Sequence, residues 1–361
     1  MRFDISEDQQ LLRDATRDFL AGECPMEAAR RLAEESDEGY SADHWAKLAE
    51  LGYLGLVAGE QAGGQGMGAV ELVIVAEEMG RACFPGPYLD VVVAARALEL
   101  AERDSVAADI AAGKLTVVLA TRDTVWPGES GGATFADGRV TGSKAFVPFA
   151  ASADKLLVTT DKGLALVDGP FRLDAMTTMD EATRFARVNF DNTAELLGDN
   201  ALVEKANELA TIGSAAMALG VCQVTLEMTV EYTREREAFG RPIATFQALQ
   251  HRMADMLLRA EGSRSLVYRA AWALDAGQSE AALMLGSAKA WAAESALANS
   301  RECLQMHGGN GFTWEYSVHR YLKLAGTLDQ FNGARDEMLE SALLAAEELA
   351  SENAAGKAAA G

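Results

Sequence analysis

Apolar residues fall at helical spacing at both ends of the chain, and in short blocks or strict alternation through its middle. Leu11, Leu12, Ala15, Phe19 and Leu20 recur at the period of a first helix. Ser6 and Gln9 stand just ahead of it at the spacing of a reciprocal N-terminal cap. Trp45, Leu48 and Leu51, ending at Gly52, predict a further helix, and residues 70–79 another. Between these two, the five glycines of residues 58–68 demand a loop. The period changes near Leu115. Residues 115–120 form a short apolar run, 138–142 resemble a hairpin, 156–160 and 164–167 are further strands, and 184–190 alternate. Over residues 201–349 helical spacing returns, with Phe246, Leu249, Met253, Met256, Leu257 and Ala260 in one periodic set. The pattern predicts an N-terminal helical domain over 1–113, a small central β domain over 114–198 and a C-terminal helical bundle over 199–350. The small polar residues of 351–361 predict a disordered tail.

Residues 209–226 hold no charge over 18 positions, which touches the lower limit for a membrane span. Thr211, Gly213, Ser214, Gly220, Gln223 and Thr225 make the segment too polar for lipid, so a helix buried inside a bundle is expected. The net charge of −22 leaves no basic surface for nucleic acid or anionic lipid, and neither is expected as a partner. Cys24, Cys83, Cys222 and Cys303 form no paired motif and read as idle thiols of a reducing cytoplasm. The acidic N-terminus lacks the apolar core of a signal peptide. His44, His251, His307 and His319 show no metal-ligand spacing, and no Gly-x-Ser-x-Gly elbow is present. Metal and serine-nucleophile chemistry are therefore not expected.

Two stretches stand out from this background. Residues 231–250 read as a helix that stops at Gly240, turns through Arg241 and Pro242, and restarts. On that reading Tyr232, Arg236 and Phe239 share one helical face at i, i+4 and i+7, and Arg236 occupies the last turn. The second stretch, Gln305-Met-His-Gly-Gly-Asn-Gly311, is a glycine loop closing a long Ala-rich helix. Taken singly, Arg236 is a solvated helix charge and the glycines an ordinary loop. Taken jointly, with Phe246 and Gln247 between them, they are far more specific. At these motifs the sequence resembles the acyl-CoA dehydrogenase family of flavoproteins, and the resemblance covers nearly the whole chain, unevenly. It implies a mainly α fold with a β insert: an N-terminal helical domain, a small central β-barrel-like domain and a C-terminal four-helix bundle. It implies FAD as cofactor, with contacts from Arg236, Phe239, Gln247, Gln305, Gly308 and Gly309, most of them to a flavin held by a neighbouring subunit. The chemistry agrees, because a pyrophosphate calls for a fixed cation and for backbone that can be approached closely.

The family removes the α-proton of an acyl-CoA thioester as the β-hydride passes to flavin, which requires a carboxylate base. The three places where family members carry that glutamate hold Asn332, Ala210 and Met217 here. Glu208 and Asp329 are the remaining candidates for the base. Glu208 points away from the Ala210 side of its helix, and Asp329 would need a rearranged segment. The β domain departs as well. Of the family's Thr-Glu-Pro segment only Thr121 is kept within 121–127, and after a matching Thr141-Gly-Ser-Lys144 comes Phe146-Val147-Pro148. Proline offers flavin neither a hydroxyl nor an N–H. Groups that reach a neighbour's flavin are thus kept, and those serving the chain's own are eroded. The expectation is a cytoplasmic subunit of an FAD-dependent acyl-CoA dehydrogenase that binds acyl-CoA together with a sister subunit. It resembles the base-less subunit of α2β2 dehydrogenases acting on steroid-CoA side chains. The alternatives are an active homo-oligomer, dimer or tetramer, with a relocated carboxylate, and a scaffold without flavin.

Overall fold

A computed structural model describes residues 5–124 and 131–359, with side chains as far as Ser351. Helices come first: α1 (Glu7–Glu23), α2 (Met26–Glu35), α3 (Ala42–Glu50), α4 (Ala69–Arg81), α5 (Tyr88–Leu100) and α6 (Asp104–Ala111). The predicted cap of α1 is present. The Ser6 N–H donates to Gln9 Oε1 at 2.9 Å, and the Gln9 N–H donates to Ser6 Oγ at 3.2 Å. The predicted apolar face is only partly used, since Leu20 is buried but Leu11 is 67% exposed.

The strands β1 (Val117–Ala120), β2 (Gly132–Ala136), β3 (Arg139–Pro148), β4 (Lys155–Thr160), β5 (Gly163–Asp168), β6 (Arg172–Met176) and β7 (Phe185–Gly198) make one curled sheet. Its order is β1-β4-β5-β7-β3-β2, with β6 also paired to β7. Only β1 and β4 run parallel; every other pairing is antiparallel. The strand β7 organises the rest, because its first half pairs β6 and β3 while its second half pairs β5. Val118, Val140, Val147, Leu156, Val167 and Val188 fill the interior. The hairpin expected at 138–142 turns instead at Asp137 and Gly138, both at positive φ, so that 139–142 are strand. The strands β2 and β6 lack a strong apolar signal and were not legible.

After the sheet come α7 (Asn200–Glu235), the two-residue strands β8 (Glu237–Ala238) and β9 (Arg241–Pro242), α8 (Gln247–Asp275), α9 (Ala281–His307), α10 (Val318–Gln330) and α11 (Arg335–Ala359). By length and composition α7 alone among the described residues could cross a membrane. Yet 83% of its most apolar window is buried within the protein, as expected of a core helix. The backbone of α11 stays helical to Ala359, into the segment expected to be disordered; its Ala and Glu residues favour that extension. Residues 360 and 361 lie outside the described residues.

Compactness groups these elements into two units. One holds Met1–Gly22, Ala69–Phe84 and Thr211–Gly361; the other holds Glu23–Gly68 and Pro85–Ala210. In the first unit α4 packs with the C-terminal helices for a concrete reason. A Cβ on Gly80 would lie 2.1 Å from the Met217 carbonyl oxygen, and one on Gly220 would lie 2.0 Å from that of Glu77. The backbones of α4 and α7 therefore touch. Ion pairs complete the seam: Glu78 takes Arg17 at 2.6 Å, and Glu77 takes Arg264 at 2.5 Å and the Tyr268 hydroxyl at 2.8 Å. In the second unit Lys144 is buried in the sheet, where its ammonium reaches Asp123, the Thr159 hydroxyl at 2.7 Å and the Thr121 carbonyl at 3.3 Å. Of the divergent 121–127 segment, residues 125–127 lie outside the described residues.

Candidate functional site

The sequence stretches around Arg236 and Gly308 meet at one end of the first unit. Their local structure differs from the helical reading in one respect. The helix α7 ends at Glu235, five residues before Gly240, and residues 236–243 form a small hairpin. The cause lies in hydrogen bonding and turn chemistry. Glu237 pairs with Pro242, Ala238 pairs with Arg241, and the Ile243 N–H donates to the Arg236 carbonyl at 2.8 Å. Phe239 and Gly240 form the tip with φ of 55° and 77°, the left-handed pair that a tight hairpin requires. Phe239 thus shares no helical face with Tyr232. It stands at the tip, 95% exposed, in a conformation that a bulky side chain rarely adopts.

Arg236 follows directly on α7, and its N–H donates to the Tyr232 carbonyl at 2.8 Å. Its side chain is exposed and makes no ion pair among the described residues. Gln247 is the first residue of α8 and is exposed, with Phe246 as the preceding cap residue. Arg241 lies over the Phe246 ring at 4.3 Å, bracing the hairpin against that helix start.

The glycine loop closes α9. Gln305 is exposed on the last turn, and Gly308 caps the helix at φ 60° and ψ −136°, a conformation only glycine tolerates. Gly309 is a different case. Its φ is not positive, and a Cβ built on it meets no atom within 4 Å. Neither backbone conformation nor packing against the described residues therefore asks for glycine at 309, and the space above it is open. His307, just before the loop, is 5% exposed, and its Nδ1 lies 2.8 Å from the Cys303 carbonyl. Burial lowers its pKa, so the ring is held neutral as an Nδ1–H donor. Its ring stacks on Tyr232 at a centroid distance of 4.2 Å. Spacing along the chain gives no sign of this contact, since 75 residues separate the pair.

An unpaired guanidinium, an uncovered aromatic and a glycine loop with open space above it fit the diphosphate half of a dinucleotide. An adjacent open groove of about 880 Å³ suits it less, because Glu227, Glu231 and Glu235 line it beside Arg234.

Glu208 ion-pairs with Lys205 at 2.7 Å. Asp329 is buried; its Oδ2 accepts from Gln330 at 2.8 Å, whereas its Oδ1 has no hydrogen-bond partner among the described residues and lies 3.7 Å from Arg335. Asn332 and Gly333 make a left-handed turn beyond α10, with φ of 52° and 95°. The turn is held from beneath by Lys289, fully buried, whose ammonium donates to the Phe331 carbonyl and the Ser214 hydroxyl at 2.9 and 2.8 Å and to the Leu328 carbonyl. The sign of this in the sequence is a lone lysine in the Ala-rich run of α9.

Residues 6–100 match the acyl-CoA dehydrogenase N-terminal domain, and residues 201–346 match the C-terminal domain. The chain is 32% identical to the acyl-CoA dehydrogenase IpdE2 of Mycobacterium tuberculosis, over 88% of this chain and 91% of that one. It is 31% identical to the acyl-CoA dehydrogenase FadE27 of the same organism, over 90% and 93% of the two chains. Among solved structures, the ChsE4-ChsE5 complex of M. tuberculosis gives a TM-score of 0.87 at 28% identity, over 97% of this chain and 99% of that chain. The steroid ACAD Tcur3481-Tcur3483 (G363A variant) gives 0.87 at 28% identity, over 96% and 99%. The chain belongs to the acyl-CoA dehydrogenase family, whose members are FAD-dependent oxidoreductases acting on the CH–CH bond of acyl-CoA thioesters.

Proposed function

We propose that this chain is the base-less subunit of a heteromeric acyl-CoA dehydrogenase and completes the flavin site of a sister subunit. The observation that carries the reading is Gly309, a glycine that neither the fold nor local packing requires, facing open space near an unpaired Arg236. In the assembly Arg236 neutralises the cofactor's diphosphate, Gly308 and Gly309 let it approach the backbone, and Gln305 and Gln247 supply amide groups. Phe239 covers the cofactor and loses its exposure to water. Bound FAD supplies the hydride acceptor. The α-proton goes to a carboxylate of the sister chain, because Asn332, Ala210 and Met217 offer none.

Two further points belong to this proposal. A bulky, steroid-type acyl group is supported by the relation to the steroid ACAD Tcur3481-Tcur3483. A cytoplasmic location is supported by four buried cysteines that form no paired motif in the sequence. The test is to purify the chain alone and in its native assembly and to compare FAD content and acyl-CoA desaturation. The proposal expects flavin and activity only in the assembly. A yellow, active homo-oligomer of this chain would refute it and leave a relocated carboxylate as the reading.

A further inference from the structure

Nothing in the proposed cofactor contacts accounts for Tyr232, and the following inference rests on that proposed reading. Tyr232 lies one turn before Arg236, whose N–H donates to the Tyr232 carbonyl at 2.8 Å, so the side chain projects from the last turn of α7. The Tyr232 ring stacks on His307, with planes 24° from parallel. Its hydroxyl donates to the His307 carbonyl at 3.4 Å and accepts from the Asn310 side-chain amide at 3.4 Å. One residue therefore touches both the helix end that carries Arg236 and the helix end that carries the glycine loop. The far side of this contact is also fixed. His307 is anchored to the Cys303 carbonyl at 2.8 Å and meets the Tyr316 ring edge-on at 6.2 Å.

We propose that Tyr232 is a positioning residue: with His307 it sets the spacing between the Arg236 corner and the backbone of Gly308 and Gly309, so that one diphosphate engages both. A guanidinium on a flexible stem and a glycine loop are each poorly ordered alone. Holding them in register before binding removes an ordering cost that otherwise weakens affinity. Hydrogen bonds of 3.4 Å are long, so the stacked rings carry most of this coupling and the hydroxyl little.

The test uses the native assembly, purified through a tag on the full chain, and follows FAD release by the rise in flavin fluorescence. Tyr232→Leu should release FAD about tenfold faster, the factor expected for losing one aromatic contact. Tyr232→Phe, which keeps the ring, should stay within about twofold of the unaltered assembly. Subunit stoichiometry and helical content by circular dichroism should be unchanged in both, which separates positioning from a general loss of structure. If Tyr232→Leu does not assemble, Tyr232→Met, of similar length without a ring, is measured in its place. Unaltered FAD release from the ring-less variant, alongside fast release from Arg236→Ala, overturns this inference and leaves the proposed site standing. Unaltered release from Arg236→Ala overturns the site itself, and the inference with it.

Discussion

Lys289 donates to the Phe331 carbonyl at 2.9 Å and thereby fixes the residue that leads into the turn at Asn332. Burial pushes the Lys289 pKa down to about 7, with Asp329 opposing the shift. An unfolded lysine titrates near about 10.4, so between those values the unfolded chain binds the extra proton and stability rises with pH. Below about 7 the folded state bears the full cost of a buried charge. Lys289→Met should abolish this rise. It should lower the melting temperature most at high pH, where the amine is neutral and its carbonyl partners lose a donor with no charging cost relieved, and least near about pH 6. Thermal melts of both proteins from about pH 6 to about pH 10 check it. A variant with the same pH slope as the unaltered chain would show that another group sets it.

Glu77 holds Arg264 and Tyr268 from within α4 and is buried. Glu77→Ala should cost about 3 kcal/mol, the range for breaking a buried pair and stranding its partner. Glu77→Gln keeps one acceptor for the Tyr268 hydroxyl and should cost less. Chemical denaturation of the three proteins gives the order directly.

The contact between α4 and α7 leaves no room at Gly80 or Gly220. Gly220→Ala puts a methyl group 2.0 Å from a backbone oxygen that cannot move without its helix. A loss of about 2–3 kcal/mol is expected, even though alanine is the better helix former by about 1 kcal/mol. Gly240→Ala is the contrasting case. The site is open but its φ is +77°, so the effect there should be local strain in the hairpin of about 1 kcal/mol.

Glu208 pairs with Lys205, and Asp329 is buried 3.7 Å from Arg335 with one oxygen held by Gln330. Asp329→Asn and Glu208→Gln should leave the rate of substrate-driven flavin reduction in the native assembly within about threefold. Stopped-flow absorbance measures it. A drop of about a hundredfold or more in either would place the base in this chain.

Much of the architecture was legible because periodicity is strong where helices bury one face, as around Met256 and Ala260, and where β4, β5 and β7 alternate or run apolar. The cap at Ser6 was legible because its chemistry is local. The strands β2 and β6 are not legible because each is short and buries at most one residue. The turn at Gly240 to Pro242 is legible, but residues 236–239 read as helix because i, i+4 spacing also occurs by chance, and only the cross-strand bonds distinguish the two. Candidate site residues were found through motif chemistry, whereas the Tyr232 stack on His307 and the Lys289 anchor depend on contacts between distant segments. Spacing along one chain does not encode such contacts.

The central claim is that a nucleotide from an adjoining subunit lies against Gly308 and Gly309, and Gly309→Val tests it most directly. A Cβ at 309 meets no atom within 4 Å, so the chain should fold and join its assembly as before. The measurement is FAD per assembly, by absorbance after purification. The account predicts a fall to about a tenth or less, since the branched side chain occupies the space that the cofactor needs. An assembly carrying Gly309→Val with its full complement of flavin would contradict it.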